Sequence, residues 1–294
     1  MIRTLVNRCR VVAERFLGKN IAGRDISVFP DDSFIVSYPR SGSTWLRFLV
    51  GNLISTEPIS FKNIEDVIPD IHVNSARHIE NIRRPRLLKS HEYFDSRYRK
   101  VVYLVRDPRD VVVSYYRYHM KVRRLEEGYP IDRYVHEFLN GDLERWKSWR
   151  GNVASWLEAR DGSPHFLLTR YEDLLDNTAA ELSRIAEFLG IKASLASLHG
   201  AVTLSSAQRM RELEQSQGPA WVTIKGSRED IPFVGPATSG GWRAALNQSA
   251  AASIERACGS LMRRLGYELG LVPQKRATGK VVPNQVAIRS QRSI

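Results

Sequence analysis

Arg40, Ser41, Gly42, Ser43 and Thr44 put one cation, three hydroxyls and a glycine into five consecutive positions. That set suits an anion. Arginine supplies a fixed charge and a fork of donors, and glycine lets the backbone come close. Such a run must be held by regular elements on both sides. The residues before it, 34–38, are apolar. After it, Leu46, Leu49, Val50 and Leu53 recur at the i, i+3, i+4, i+7 spacing of a helix. Strand, tight loop and helix start place unpaired backbone N–H groups and the positive dipole end at the loop, the makings of a phosphate cradle. The run is not a Walker A sequence, which needs lysine directly before Ser/Thr. Here the aromatic Trp45 follows the hydroxyls.

A second strand-to-helix break lies downstream. Residues 101–105 read Val-Val-Tyr-Leu-Val, a buried-strand run, and residues 111–118 read as helix. Asp107 is the expected N-cap, with Pro108 at the first helical position. Arg106 then sits at a strand's carboxyl end, where open α/β sheets bind ligands. His91 follows the short strand Arg86-Leu87-Leu88-Lys89. A lone histidine is usually structural, but one with an ordinary pKa near 6.5 suits proton removal from a hydroxyl at neutral pH.

Strands are expected near 33–38, 86–89, 101–105 and 165–169, with helical stretches between them. That order implies a single-domain α/β fold, a parallel sheet flanked by helices on both faces, with a P-loop-like nucleotide site. Thr178 and Glu181 form a capping box, Leu182, Ile185, Ala186 and Leu189 an apolar stripe, and Gly190 a stop; this helix is scaffold. Residues 209–241 carry scattered Gly, Pro and charge with weak periodicity, as a lid over a site would. The stretch 120–133 is a second loop, expected near an acceptor.

Composition agrees with a globular enzyme: 43% of the 294 residues are hydrophobic, enough for a sizeable core. No apolar run of about 18 residues exists, so no transmembrane segment is expected. The net charge of +12 is concentrated at the ends. Residues 1–30 hold six Lys/Arg against two acids, and 271–294 hold five against none, which leaves about +3 for the body. That excess is too small for a nucleic-acid-binding face, so no nucleic acid partner is expected. The chain therefore divides into a basic N-terminal segment (1–30), a domain (31–270) and a basic, disordered tail (271–294). Leu5, Val12, Phe16 and Leu17 among arginines suit either peripheral contact of residues 1–20 with an anionic membrane or docking on the body. Two cysteines, Cys9 and Cys258, give no disulfide framework and point to a reducing compartment, the cytoplasm. No Cys/His cluster has zinc spacing, so no metal is expected.

The segments Tyr38-Pro39-Arg40-Ser41-Gly42-Ser43-Thr44-Trp45 and Arg106-Asp107-Pro108-Arg109-Asp110-Val111-Val112-Val113-Ser114-Tyr115-Tyr116 closely resemble the two nucleotide motifs of cytosolic-type sulfotransferases. Lys89-Ser90-His91, Ser148-Trp149, Arg170-Tyr171-Glu172-Asp173-Leu174 and Gly240-Gly241-Trp242-Arg243 follow in the family's order. Each motif alone is weak; together and in order, over roughly residues 30–270, they are strong. The resemblance implies transfer of a sulfuryl group from 3′-phosphoadenosine 5′-phosphosulfate (PAPS) to an acceptor hydroxyl, with 3′,5′-ADP as product. It implies His91 as general base, with Arg40 and Lys89 as cations at the transferred group. It places Ser41, Gly42, Ser43 and Thr44 on the phosphates, Trp45 and Tyr171 at the adenine, Arg106 and Ser114 at the 3′-phosphate, and Ser205 with Ser206 at the cofactor. The acceptor would be a small molecule, a saccharide or a lipid. The other histidines, His72 included, carry no such context and read as bland.

The chain departs from the family at four places. Arg40 stands where the family usually has lysine, so it supplies charge and hydrogen bonds rather than a proton. Ala207 replaces an aromatic adenine contact. Gly235-Pro236-Ala237 replaces an Arg-Lys-Gly clamp on the 3′-phosphate, and Gly241 replaces an acid. Arg209, Arg211, Lys225 and Arg228 flank that clamp and are candidate substitutes. Two other readings stay open: a non-catalytic nucleotide-binding member, and a magnesium-dependent P-loop kinase, which the missing Gly-Lys-Ser/Thr disfavours.

Overall fold

The computed structural model describes residues 21–270. Four strands form one parallel sheet: β1 (Ser33–Ser37), β2 (Leu87–Ser90), β3 (Lys100–Val105) and β4 (Phe166–Arg170), in the order β2-β1-β3-β4. Each lies within a residue or two of the expected run. Side chains alternate across the pleat, and the two faces bury different residues. Phe34 and Val36 of β1 join Val101, Tyr103 and Val105 of β3 in a core with Trp149 and Trp156. Ile35, Val102 and Leu104 face the opposite layer. The two tryptophans are therefore packing residues, both with no exposed surface.

The helices that matter are α1 (Ser43–Ile54), α2 (Pro108–Lys121), α3 (Trp149–Arg160), α4 (Thr178–Leu189), α5 (Leu195–Leu204) and α6 (Ala207–Gln217). The chain leaves β1 toward β2 on one side, and β3 toward β4 on the other. The carboxyl ends of β1 and β3 are thus the topological switch point, the crevice where open sheets of this kind take ligands. Both anion-type motifs emerge there. Asp107 caps α2 by accepting from Arg109 N at 2.9 Å, with Pro108 in the first turn, as expected.

Two local expectations change. The cap of α4 is Asn177, which accepts from Ala180 N, one residue before the predicted Thr178. Glu181 is drawn away from the box by Thr169 Oγ1 at 2.9 Å and by Arg184. Residues 207–217 are helix rather than loop. Ser206 caps α6, and Met210 and Leu213 are buried with Trp221, Ile224 and Phe233 in a small core of their own. Anchoring by dispersed apolar residues is invisible to a periodicity count. Within the basic N-terminal segment, residues 21–30 pack on the domain, with Ala22 and Ile26 buried. The membrane-contact reading of residues 1–20 and the tail 271–294 lie outside the described residues. Among the described residues no helix is long and apolar enough to cross a membrane.

Candidate active site

A cavity of about 1060 Å³ opens at the switch point. Its floor is the loop between β1 and α1. Arg40 and Gly42 both adopt positive φ, 66° and 103°, which turns the chain sharply into the helix. Glycine is required at 42 for a second reason: a Cβ there would meet Tyr171 Cδ2 at 2.6 Å. Gly42→Ala is expected to lose about 1–3 kcal/mol of stability, because strain and a displaced aromatic ring act together. A denaturant midpoint unchanged from wild type would refute that account.

Arg40 lies between two aromatic faces, its guanidinium 4.9 Å from the Tyr118 ring centroid and 4.6 Å from that of Phe233. Nε donates to Ser114 Oγ at 3.3 Å and Nη2 to the Phe233 carbonyl at 3.2 Å. Burial lowers its pKa to about 10, which still leaves it charged at neutral pH. Ser114 thus arrives from α2 beside Arg40. Arg106 stacks 4.2 Å over Tyr171 and donates to the carbonyl of Thr238 at 3.1 Å. Its Nε is buried without a partner.

Trp45 packs edge-on against Tyr171, with centroids 5.7 Å apart, and donates to the Ser205 carbonyl at 3.0 Å. Ser43, Thr44, Ser205 and Ser206 line the same cavity. Two expected contacts are already committed elsewhere. Ser205 Oγ accepts from Asn52 Nδ2 at 3.1 Å, and Ser206 Oγ caps α6. Ser41 is fully buried and does not line the cavity; its hydroxyl has no partner, so only its backbone faces the loop's work.

The same cavity is lined by Lys89 of β2 and by His91 just after it. Lys89 Nζ donates to Asp70 Oδ2 at 2.5 Å and also to His91 Nε2. His91 Nδ1 lies 2.7 Å from the Ser37 carbonyl, which can only accept, so the ring proton is on Nδ1. Nε2 is therefore a bare lone pair. Burial, then the Lys89 ammonium, holds the pKa of His91 well below 6.5. Burial opposes ionisation of Asp70, but Lys89 and the neighbouring cations outweigh it and keep the carboxylate charged.

Asp70 and His72 are site residues that the sequence did not mark. The segment around Asp70 runs along the outer edge of β2, where Lys89 N donates to the Pro69 carbonyl at 2.9 Å and Ile71 N to the Lys89 carbonyl at 3.1 Å. His72, read as bland, stacks parallel to His91 at 5.9 Å, and Trp146 sits edge-on to both rings. Nothing in local spacing announces this; strand-edge pairing creates it. The four flanking cations offered as substitutes for the missing clamp do not line the cavity. Arg211 donates to the Gly235 carbonyl, Arg209 pairs with Glu212 and Arg228 with Asp230. Asp110 instead anchors the turn, accepting from Gly240 N at 2.7 Å and Trp242 N at 2.9 Å.

A parallel α/β sheet with an anion loop at its switch point and a histidine–lysine pair across the cavity defines a nucleotide-dependent group-transfer architecture. The model of the sulfotransferase domain matches residues 30–266, and the chain belongs to that family. It is 28% identical to cattle (Bos taurus) sulfotransferase 1E1 over 231 residues, covering 73% of this chain and 77% of that protein. It is 33% identical to rat (Rattus norvegicus) sulfotransferase 2A2 over 199 residues, 63% of this chain and 68% of the relative. The fold matches mouse sulfotransferase SULT7A1 complexed with PAP, with a TM-score of 0.67 at 21% identity over 81% of this chain and 86% of that one. It also matches retinol dehydratase in a complex with retinol and PAP, with a TM-score of 0.64 at 20% identity over 85% of each chain.

Proposed function

We propose that this sulfotransferase moves a sulfuryl group from PAPS to a hydroxyl of a small-molecule, saccharide or lipid acceptor. One observation carries the reading: a single cavity joins the Arg40–Thr44 loop, the aromatic pair Trp45–Tyr171 and the Lys89–His91 pair. A polyanionic nucleotide fits it. Seven Lys/Arg against three acids line the walls, and Arg106 offers a buried donor still without a partner. In this reading Arg106 and Ser114 take the 3′-phosphate, Trp45 and Tyr171 the adenine, and the loop N–H groups of residues 41–44 the 5′-phosphate. Ser205 contributes through its backbone and Ser206 from the rim. The complexes of the two fold neighbours with PAP support this assignment.

His91 Nε2 takes the proton from the acceptor hydroxyl as that oxygen attacks sulfur. The bond from sulfur to the phosphate oxygen breaks in line, and Arg40 with the loop N–H groups stabilises the leaving phosphate. Lys89 now occupies Nε2, so it must turn toward the sulfuryl oxygens before His91 can act. The acceptor class rests on the small-molecule complexes of retinol dehydratase, with retinol or androsterone. A cytoplasmic location is part of the same reading, supported by the family resemblance and by Cys258, a buried free thiol.

The test is a thermal shift with 3′,5′-ADP, 5′-AMP, and ATP with magnesium. A ligand at about 100 times its dissociation constant stabilises by about 2.7 kcal/mol. The expected order puts 3′,5′-ADP far ahead of both others, with the preference over 5′-AMP lost in Arg106→Ala. Equal shifts for 3′,5′-ADP and 5′-AMP would remove the PAPS assignment, and a larger shift with ATP and magnesium would favour a kinase.

A further inference from the structure

Hydrogen-bond accounting at His72 leaves one acceptor missing. His91 N donates to His72 Nε2 at 2.9 Å, so that nitrogen carries no proton. The ring is buried, with 5% of its side chain exposed, and burial lowers its pKa to about 3, so it is neutral. A neutral imidazole has one N–H, and here it must be on Nδ1. Yet Arg145 Nη2 stands 2.8 Å from Nδ1, and a guanidinium can only donate. Two donors face each other. The nearest carboxylate oxygen, Glu92 Oε1, is 4.0 Å from Nδ1, too far for a hydrogen bond.

An oxyanion placed beside this contact, within hydrogen-bond reach of both His72 Nδ1 and the Arg145 fork, would give both donors an acceptor. Arg145 is suited to hold it: its guanidinium rests over the Trp146 ring, 4.3 Å from the centroid, and carries a planar fork of donors. Glu92, the acid beside His72, is paired with Arg24 at 3.7 Å. Arg117 and Arg124 line the same cavity. Arg124 is paired with Glu144, while Arg117 has no hydrogen-bond or ion-pair partner among the described residues. Asp70 is already committed to Lys89.

We infer that the acceptor of this enzyme is an alcohol or phenol that also carries an oxyanion, a carboxylate or a phosphate, held jointly by Arg145 and His72 while its hydroxyl meets His91. The parallel rings of His72 and His91, 5.9 Å apart, set the separation of the two groups at a few bonds. Trp146, edge-on to both rings, forms the wall against which the connecting atoms lie. This inference rests on the transfer reading for the role of His91, but the oxyanion seat itself does not.

The test is calorimetric titration of the full chain, with and without saturating 3′,5′-ADP, using 4-hydroxyphenylacetate, its methyl ester and 4-hydroxyphenyl phosphate. The acid or the phosphate is expected to bind at least about tenfold tighter than the ester, the worth of a charge-assisted pair. Whichever anion binds tighter identifies the group. In Arg145→Gln the acid-to-ester ratio falls toward one, and Arg145→Lys restores part of it. Transfer from PAPS to the same compounds is measured separately. Anion preference without any transfer would refute the parent reading and leave the seat standing. Equal binding of acid and ester, no binding by either anion, or a ratio that survives Arg145→Gln would overturn the inference.

Discussion

Replacing His91 by alanine is expected to lower sulfuryl transfer by about two to four decades, the usual worth of general acid–base catalysis. Affinity for 3′,5′-ADP is expected to change little, because the proposed binding mode gives His91 to the acceptor and the nucleotide to Arg106 and Tyr171. The geometry adds a pH signature. Burial and the Lys89 ammonium hold the pKa of His91 well below 6.5, so its base form persists as the pH falls to 6.5. The acidic limb of kcat/KM therefore lies below pH 6.5. Removing the neighbouring cation favours the protonated ring and raises its pKa, so in Lys89→Met the limb moves to higher pH. Near-wild-type turnover of His91→Ala would assign the proton to another group. A limb that Lys89→Met leaves in place would deny the coupling between the two side chains.

Arg40→Ala is expected to cost transfer at least about two to three decades, the loss seen when one preorganised donor to a developing charge is removed. The substitution takes away more than one donor. The guanidinium brings a full charge, a fork held by Ser114 and the Phe233 carbonyl, and a plane clamped between Tyr118 and Phe233. Arg40→Lys keeps the charge, and its ammonium can also release a proton to the leaving oxygen, so this variant retains transfer well above Arg40→Ala. Steady-state rates with 3′,5′-ADP affinity measured in parallel separate chemistry from binding. An Arg40→Lys protein that binds 3′,5′-ADP normally but transfers nothing would show that the bidentate guanidinium, rather than charge, is what the reaction needs.

The strand–loop–helix turn at residues 38–45 was legible because its signals are local. Apolar alternation, a glycine with three hydroxyls, and a helical stripe all lie within twenty residues, and each follows from backbone sterics or helix-end chemistry. The cap at Asp107 was legible for the same reason, and so was the sheet, whose strands appear as short apolar runs. The helix at the start of the expected lid was missed because α6 is held by Met210 and Leu213, which meet Trp221 and Phe233 only after the chain has folded back. The clamp substitutes misled because proximity in sequence to Gly235 said nothing about which way Arg209, Arg211, Lys225 and Arg228 face.

By itself, the sequence determined the α/β class, the strand–loop–helix turn at residues 40–45 and the family of the chain, since those depend on neighbours along the chain. Only the tertiary structure decided what surrounds His91. Asp70 and His72 reach His91 through pairing along the outer edge of β2, and Arg145 and Trp146 come from more than fifty positions further on. A hydrogen bond has a short reach and a fixed direction. Which donor meets which acceptor is therefore settled where strands and helices dock, and that docking is what leaves two donors facing one another beside His91.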